Sequence, residues 1–165
     1  EHNRVDLLAL ASDAVHDAQA MDPKRTIAME VLDGPGTPEV LGDEPRIRQV
    51  LSNLVANALQ HTPESADVTV RVGTEGDDAV LEVADKGPGM TEQDASRVFE
   101  RFYRTDSSRA RASGGTGLGL SIVDSLVRAH GGAVKVTTAS GEGCCFRVTL
   151  PRVSEVPAQE PVHAN

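Results

Sequence analysis

Cysteine is nearly absent from this chain, apolar runs are short, and positive charge is outweighed by negative. The only two cysteines, Cys144 and Cys145, are neighbours in a strand-like run, where successive side chains point to opposite faces. They read as two small buried or half-buried hydrophobes in a reducing compartment, and a metal site, which wants more ligands, is set aside. No apolar run approaches the ~18 residues of a membrane-spanning helix. The acidic start, with Glu1 and Asp6, does not resemble a secretory signal, so the chain is expected to be soluble. Sixteen basic against twenty-five acidic residues give a net charge of -9, which argues against affinity for nucleic acid or anionic membranes and suits a basic partner. What remains, 165 residues, has the size of one domain with one core and one site.

Val5, Leu8, Ala11, Val15 and Ala18 recur at three and four positions, predicting a lead-in helix that turns Asp6, Asp13 and Asp17 to water. Over 26–32, Ile27, Met29 and Val31 alternate with Ala28 and Glu30 in a first strand, which Gly34-Pro35-Gly36-Thr37-Pro38 breaks. Asp43 caps the next helix, Pro45 suits its first turn, and Ile47, Leu51, Leu54, Val55 and Ala58 form its apolar stripe as far as Thr62-Pro63. Val68, Val70 and Val72 alternate with Thr69 and Arg71, Gly76-Asp77-Asp78 turns the chain, and 80–85 returns as an antiparallel strand. From 86 to 117 only a short helical pattern, around 92–102, interrupts a stretch rich in Gly, Ser and Arg. Because core patterns resume directly afterwards, this stretch is expected to be a functional lid. A helix over 118–130 closes at Gly131-Gly132, and 134–138 and 145–150 form a second hairpin through Gly141-Glu142-Gly143. After Pro151 the tail is expected to be disordered. The order of elements predicts an α/β two-layer sandwich, with a mixed, mostly antiparallel sheet and helices on one face.

Three groups of residues carry chemistry. On the helix of 44–61, Asn53 and Asn57 stand four apart, with Gln60 and His61 on the same flank. Two amide oxygens at that spacing suit a hard, partly hydrated cation such as magnesium shared with phosphates, although exposed Asn pairs also occur by chance. Asp85-Lys86-Gly87-Pro88-Gly89-Met90 leaves a strand directly into the lid. A strand-end carboxylate can accept from an exocyclic amine and the glycines let a flat ring approach, while the same residues also make an ordinary turn. Gly114-Gly115-Thr116-Gly117-Leu118-Gly119-Leu120-Ser121 opens a helix, where bare N–H groups and the helix dipole favour an anion. No strand immediately precedes these glycines, which excludes a dinucleotide fingerprint, and no Gly-Lys-Ser/Thr follows, which excludes a Walker loop. The remaining alternative is a flexible hinge.

Taken in order with Phe99-Glu100-Arg101-Phe102-Tyr103-Arg104, these groups closely resemble the ATP-binding catalytic domain of sensor histidine kinases. That family belongs to the Bergerat-fold (GHKL) group, with the gyrase, chaperone and mismatch-repair ATPases. The resemblance covers roughly 43–151. It includes the asparagine box, both main glycine boxes, the phenylalanine box and the terminal Gly141-Glu142-Gly143 with Phe146.

The resemblance implies ATP and magnesium as cofactors. It assigns Asp85 as the adenine-selecting carboxylate, Gly87, Gly89 and Met90 to the turn beneath the base, and Asn57 as the magnesium ligand. Asn53 is similar to the second asparagine near metal and phosphates, with Gln60 and His61 beside it. Gly115, Thr116, Gly117, Leu118 and Gly119 resemble the phosphate-binding end of the lid. Phe99 and Phe102 would anchor that lid, and Arg101 and Arg104 would face either phosphates or the partner domain.

Residues 1–20 would lead in from an absent dimerisation domain, 21–151 would form the catalytic domain with its lid at 86–117, and 152–165 would be the tail. The implied partners are the histidine-bearing dimerisation domain of the same kinase and a response regulator, with no nucleic acid. The whole protein would be a homodimer anchored in the cell membrane, and this domain a cytoplasmic monomer on its own.

Two features depart from the family pattern. Gln60 stands where Lys or Arg is common, and His61 where an aromatic is usual, so a phosphate contact is lost or supplied by a lid arginine. None of His2, His16, His130 and His163 lies in the phosphoacceptor pattern, which places the acceptor helices outside this chain. Two other readings remain: a serine-phosphorylating relative of the anti-sigma-factor type, and a degenerate nucleotide module, which Gln60 favours.

Overall fold

Alternate-residue burial builds the central layer of the structure. The computed structural model describes residues 2–101, 103 and 119–153. In chain order its elements are β1 (Asn3–Asp6), α1 (Leu7–Met21), β2 (Ile27–Val31), β3 (Glu39–Gly42), α2 (Glu44–Gln60), β4 (Val68–Glu75), β5 (Asp78–Asp85), α3 (Glu92–Arg97), α4 (Gly119–Ala129), β6 (Ala133–Thr138) and β7 (Cys144–Pro151). Five strands lie side by side in the order β2-β4-β5-β7-β6; β2 runs parallel to β4 and every other pair is antiparallel. The expected mixed, mostly antiparallel sheet is therefore present. Val68, Val70, Val72, Leu81, Val83, Phe146 and Val148 point from it into one core with the apolar faces of α1, α2 and α4.

Local chemistry sets the helix ends. The Asp43 carboxylate accepts from the Arg46 N–H and Pro45 occupies the first turn, so α2 starts where its sequence says it should. α3 is capped by Thr91, whose hydroxyl accepts from the Asp94 N–H at 3.1 Å. Beyond it Val98 is buried and Phe99 meets Phe146 edge to face, so both side chains pack against the core. Phe102 and residues 104–118, Arg104 among them, lie outside the described residues. Among the described residues no helix is long and apolar enough to cross a membrane.

Three expectations change. Val5 belongs to β1 rather than to the first helix, and β1 pairs with β3 in a two-stranded ribbon that the sequence did not announce. The helix itself starts after Asp6, whose carboxylate accepts from the Leu8 N–H at 2.9 Å. α1 is also more than a lead-in: Leu7, Leu10, Ala11, Val15 and Ala18 are buried in the same core as α2 and the sheet. Its stripe is satisfied inside this domain. Finally, the first two residues of the expected tail are held, because the Arg152 N–H donates to the Asp77 carbonyl and the Val153 N–H to that of Glu39. Residues 154–165 lie outside the described residues.

If α1 is a layer of this core, truncating its buried face should cost as much as any core truncation. Leu10, 3% exposed, is expected to lose about 2–5 kcal/mol on Leu10→Ala. Urea unfolding measures the loss, and an unchanged midpoint would detach the helix from the core.

Candidate functional site

β5, the middle strand of the sheet, is buried along most of its length and ends on Asp85, a carboxylate only 9% exposed. Its Oδ1 accepts from the Gly87 N–H at 2.9 Å and from the Cys144 N–H at 3.3 Å. Oδ2 has no hydrogen-bond partner among the described residues, and is left to accept from a ligand. Burial pushes the Asp85 carboxyl above its ordinary range; the N–H groups of Gly87 and Cys144, and the charges of His61 and Arg25, act against that rise.

The segment leaving Asp85 is fastened to the β6–β7 hairpin. The Met90 N–H donates to Thr138 Oγ1 at 3.0 Å, and that hydroxyl donates in turn to the Gly143 carbonyl at 2.6 Å. Gly143, at φ +80°, allows this approach: a Cβ there would sit 2.1 Å from the Asp85 carbonyl oxygen. Gly89, at φ +74°, faces the Ala139 carbonyl equally closely. Gly87 lies flush on Thr62, whose methyl would stand 2.4 Å from any Cβ added there. Backbone thus comes right up to the carboxylate on one side and to Thr62 on the other, as a flat ring needs.

The second wall is the polar flank of α2. Asn53 and Asn57 are half-buried and Gln60 is exposed, while His61, the C-cap, donates its N–H to the Asn57 carbonyl. Asn53 Nδ2 donates to the Gly119 carbonyl at 3.3 Å, so the flank meets the opening turn of α4. That bond uses the Asn53 nitrogen and leaves its oxygen to accept, and the Asn57 amide makes no hydrogen bond among the described residues. Two amide oxygens are therefore available to a hard cation. No cluster of three or more His, Cys, Asp or Glu side chains exists among the described residues, so any cation here would draw its other ligands from phosphate and water. The donor set fits magnesium on those terms.

The structure brings together Asp85, Gly87, Gly89, Met90 and His61 at one end, and Asn53, Asn57 and Gly119 at the other. Arg101 is exposed where the described part of the lid ends. Arg104, Gly115, Thr116, Gly117 and Leu118 lie outside the described residues. Sequence reasoning missed Thr62, Thr138 and Cys144. The thiol of Cys144 donates to Thr138 Oγ1 at 3.3 Å, and its backbone holds Asp85. Only the pairing of Asp85 with Cys144 across β5 and β7 would have revealed that.

Comparison with known proteins agrees with this geometry. Residues 42–154 match the family described as histidine kinase-, DNA gyrase B-, and HSP90-like ATPase. The chain is 46% identical over 152 residues to the probable sensor histidine kinase TcrY of Mycobacterium tuberculosis, covering 92% of this chain and 31% of that protein. To the sensor-like histidine kinase SenX3 of Mycolicibacterium smegmatis it is 36% identical over 147 residues, covering 89% of this chain and 38% of that one. It thus spans about a third of the length of these relatives. Among solved structures it is similar to a mycobacterial sensor histidine kinase, MprB, with TM-score 0.79 and 30% identity over 92% of this chain and all of that one. Full-length ShkA in complex with AMPPNP is similar with TM-score 0.77 and 34% identity, covering 95% of this chain and 32% of that one.

Burial of Asp85 has a consequence for stability. The folded carboxyl binds its proton more tightly than the unfolded one, so this group's contribution to stability falls as pH rises from the ordinary Asp range through the folded value. Thermal melts of wild type and Asp85→Asn at a series of pH values should therefore diverge, with wild type losing ground as the carboxylate ionises. Parallel curves would mean that burial does not penalise the charge.

Proposed function

The chain belongs to the histidine kinase-, DNA gyrase B- and HSP90-like ATPase family, and on that premise we propose that it is the ATP-binding catalytic domain of a two-component sensor histidine kinase. It positions magnesium ATP for attack by a histidine on a separate dimerisation domain, from which the phosphoryl group passes to a response regulator. The observation that carries the reading is Asp85, a buried strand-end carboxylate with one oxygen held by backbone N–H groups and the other left to accept. That is the receptor for an exocyclic amine on a flat ring.

The residues divide the work. Asp85 selects the base, Gly87 and Gly89 let it lie on the backbone, and Met90 borders it. Asn57 and Asn53 would hold magnesium through their side-chain oxygens, beside the opening of α4 at Gly119. Bound magnesium supplies neutralisation of phosphate charge, and catalysis is otherwise positioning. Gly115, Thr116, Gly117 and Leu118 complete the phosphate end, with Arg101, Arg104, Gln60 and His61 around it. The catalytic domain spans 21–151 with its lid at 86–117, and α1 both enters it and packs in its core. In the whole protein we place the acceptor histidine on a dimerising helical domain that makes the kinase a homodimer, and a membrane anchor with this domain in the cytoplasm.

Asp85→Asn should weaken a fluorescent adenine nucleotide by about tenfold to a hundredfold, the ~1.5–3 kcal/mol of a charged hydrogen bond, without altering the circular dichroism spectrum. Unchanged affinity would remove Asp85 from the site. Asn57→Ala should weaken the nucleotide chiefly when magnesium is present, and equal weakening without the metal would contradict its role.

Asn53 occupies the position where the related ATPases place a glutamate that activates water, and an amide does not accept a proton at neutral pH. The chain alone should therefore bind labelled ATP, release phosphate very slowly and not label itself. With the acceptor helices of its own kinase added, it should form an acid-labile phosphohistidine, lost on Asn57→Ala. Rapid phosphate release by the chain alone would point to an ATPase instead.

A further inference from the structure

Behind the adenine end of the site lies a cation that the roles above leave unused. Arg25, in the turn between α1 and β2, is 7% exposed. Its Nη2 donates to Thr62 Oγ1 at 2.6 Å and to the Ala66 carbonyl at 3.3 Å, and its Nη1 to the Leu59 carbonyl at 3.3 Å. Thr62 passes its own proton to the Ala58 carbonyl at 2.7 Å, so its oxygen is left to accept from Arg25 while its methyl is held against Gly87. Gly87 in turn donates to Asp85.

Resting on the nucleotide reading above, we propose that Arg25 is a positioning residue for the base-selecting carboxylate. It braces Thr62 beneath Gly87 and supplies the buried positive charge that faces Asp85 from behind the pocket.

Stability alone does not account for such a residue. A buried guanidinium costs desolvation unless a carboxylate pairs with it, and no ion pair to Arg25 exists among the described residues. Its Nε is buried with no hydrogen-bond partner among the described residues. An apolar side chain would fill the volume at less expense. What a neutral residue does not provide is the charge that acts on Asp85, where burial favours the protonated form, which is useless as an acceptor. His61 at the end of α2 acts on Asp85 in the same direction, and Asp85 acts in turn on the neighbouring thiols of Cys144 and Cys145 on β7. Burial pushes both thiols up, so they stay neutral where Asp85 titrates. Arg25 is the one of these charges that pH does not remove.

The test uses the full chain as wild type, Arg25→Lys, Arg25→Met and Arg25→Gln; Lys keeps the charge, and Gln keeps a donor toward Thr62 without it. Two readouts are taken across pH: the carboxyl-carbon NMR titration of Asp85 without nucleotide, and the dissociation constant of ADP. All forms are repeated with His61→Gln, because His61 is itself titratable.

The neutral variants should raise the Asp85 midpoint and move the acid limb of ADP binding up by the same interval. Affinity then falls below that limb and changes little above it, while Arg25→Lys stays near wild type. An unshifted Asp85 midpoint in the neutral variants, or a loss of ADP binding equal at every pH, would overturn the proposal, since a merely structural residue gives that result. Should wild type bind no ADP at any pH, the nucleotide reading fails, and the Asp85 titration alone still decides whether Arg25 acts on it.

Discussion

A carboxylate nine-tenths buried, whose charge burial disfavours, is the constraint around which this structure is arranged. Water stabilises an aspartate better than any protein interior, so each N–H or positive charge near Asp85 offsets part of what burial removes. The offset comes from separate parts of the chain: Gly87 just beyond β5, Cys144 at the start of β7, His61 at the end of α2 and Arg25 before β2. No local segment provides all four. They converge because Asp85 pairs with Cys144 and with Val68 in the sheet, which brings the hairpin turn and the loop before β4 to the same edge.

The sheet holds that edge through its two unlike faces. Toward the helices it presents valine, leucine and phenylalanine. Toward the other side, one row of charges crosses four strands in register, Glu30, Arg71, Glu82 and Arg147, each beside its opposite. Arg71 reaches Glu30 at 3.0 Å and Glu82 at 3.2 Å, and Arg147 bonds both Glu82 and Glu75. The outer pairs are too exposed to contribute much singly. Glu82, held between two guanidiniums with its side chain 12% exposed, is the member whose loss would leave cations facing each other. A one-residue slip of β5 would turn Glu82 into the core and Asp85 out of its pocket, so register and site are specified together.

How much of this was legible in the sequence depended on how local each cause is. The helix of Asn53 and Asn57 announces itself through an Asp cap, a proline in the first turn and a long stripe, all within one segment. The hairpin ending on Asp85 shows alternation from Val68 to Val72 on its first arm, a Gly76-Asp77-Asp78 turn and an apolar run on its second. β1 and β3 show nothing comparable: four residues each hold too little pattern, and Val5 fits the helical stripe as well as a strand. Cys144 was set aside as a small hydrophobe because its part lies in a backbone N–H whose partner is set by strand register. Arg25 gave no signal at all, for an arginine after proline and lysine in a turn is ordinary surface chemistry until the fold closes over it.

The seam between α2 and α4 ties the identity of residue 53 to packing. Asn53 donates to the Gly119 carbonyl, and this bond sets the first turn of α4 against the asparagine flank. A carboxylate has no proton to give at neutral pH, so a glutamate at 53 would place negative charge against a carbonyl that now receives a hydrogen bond. The two helices would then lose their polar tie and meet through repulsion instead. An amide satisfies the seam with its nitrogen and keeps an oxygen that can accept. In this chain, then, the residue that joins α2 to the opening of α4 is incompatible with a water-activating base at the same position. The amide at 53 is thus tied to how the two helices are fastened together.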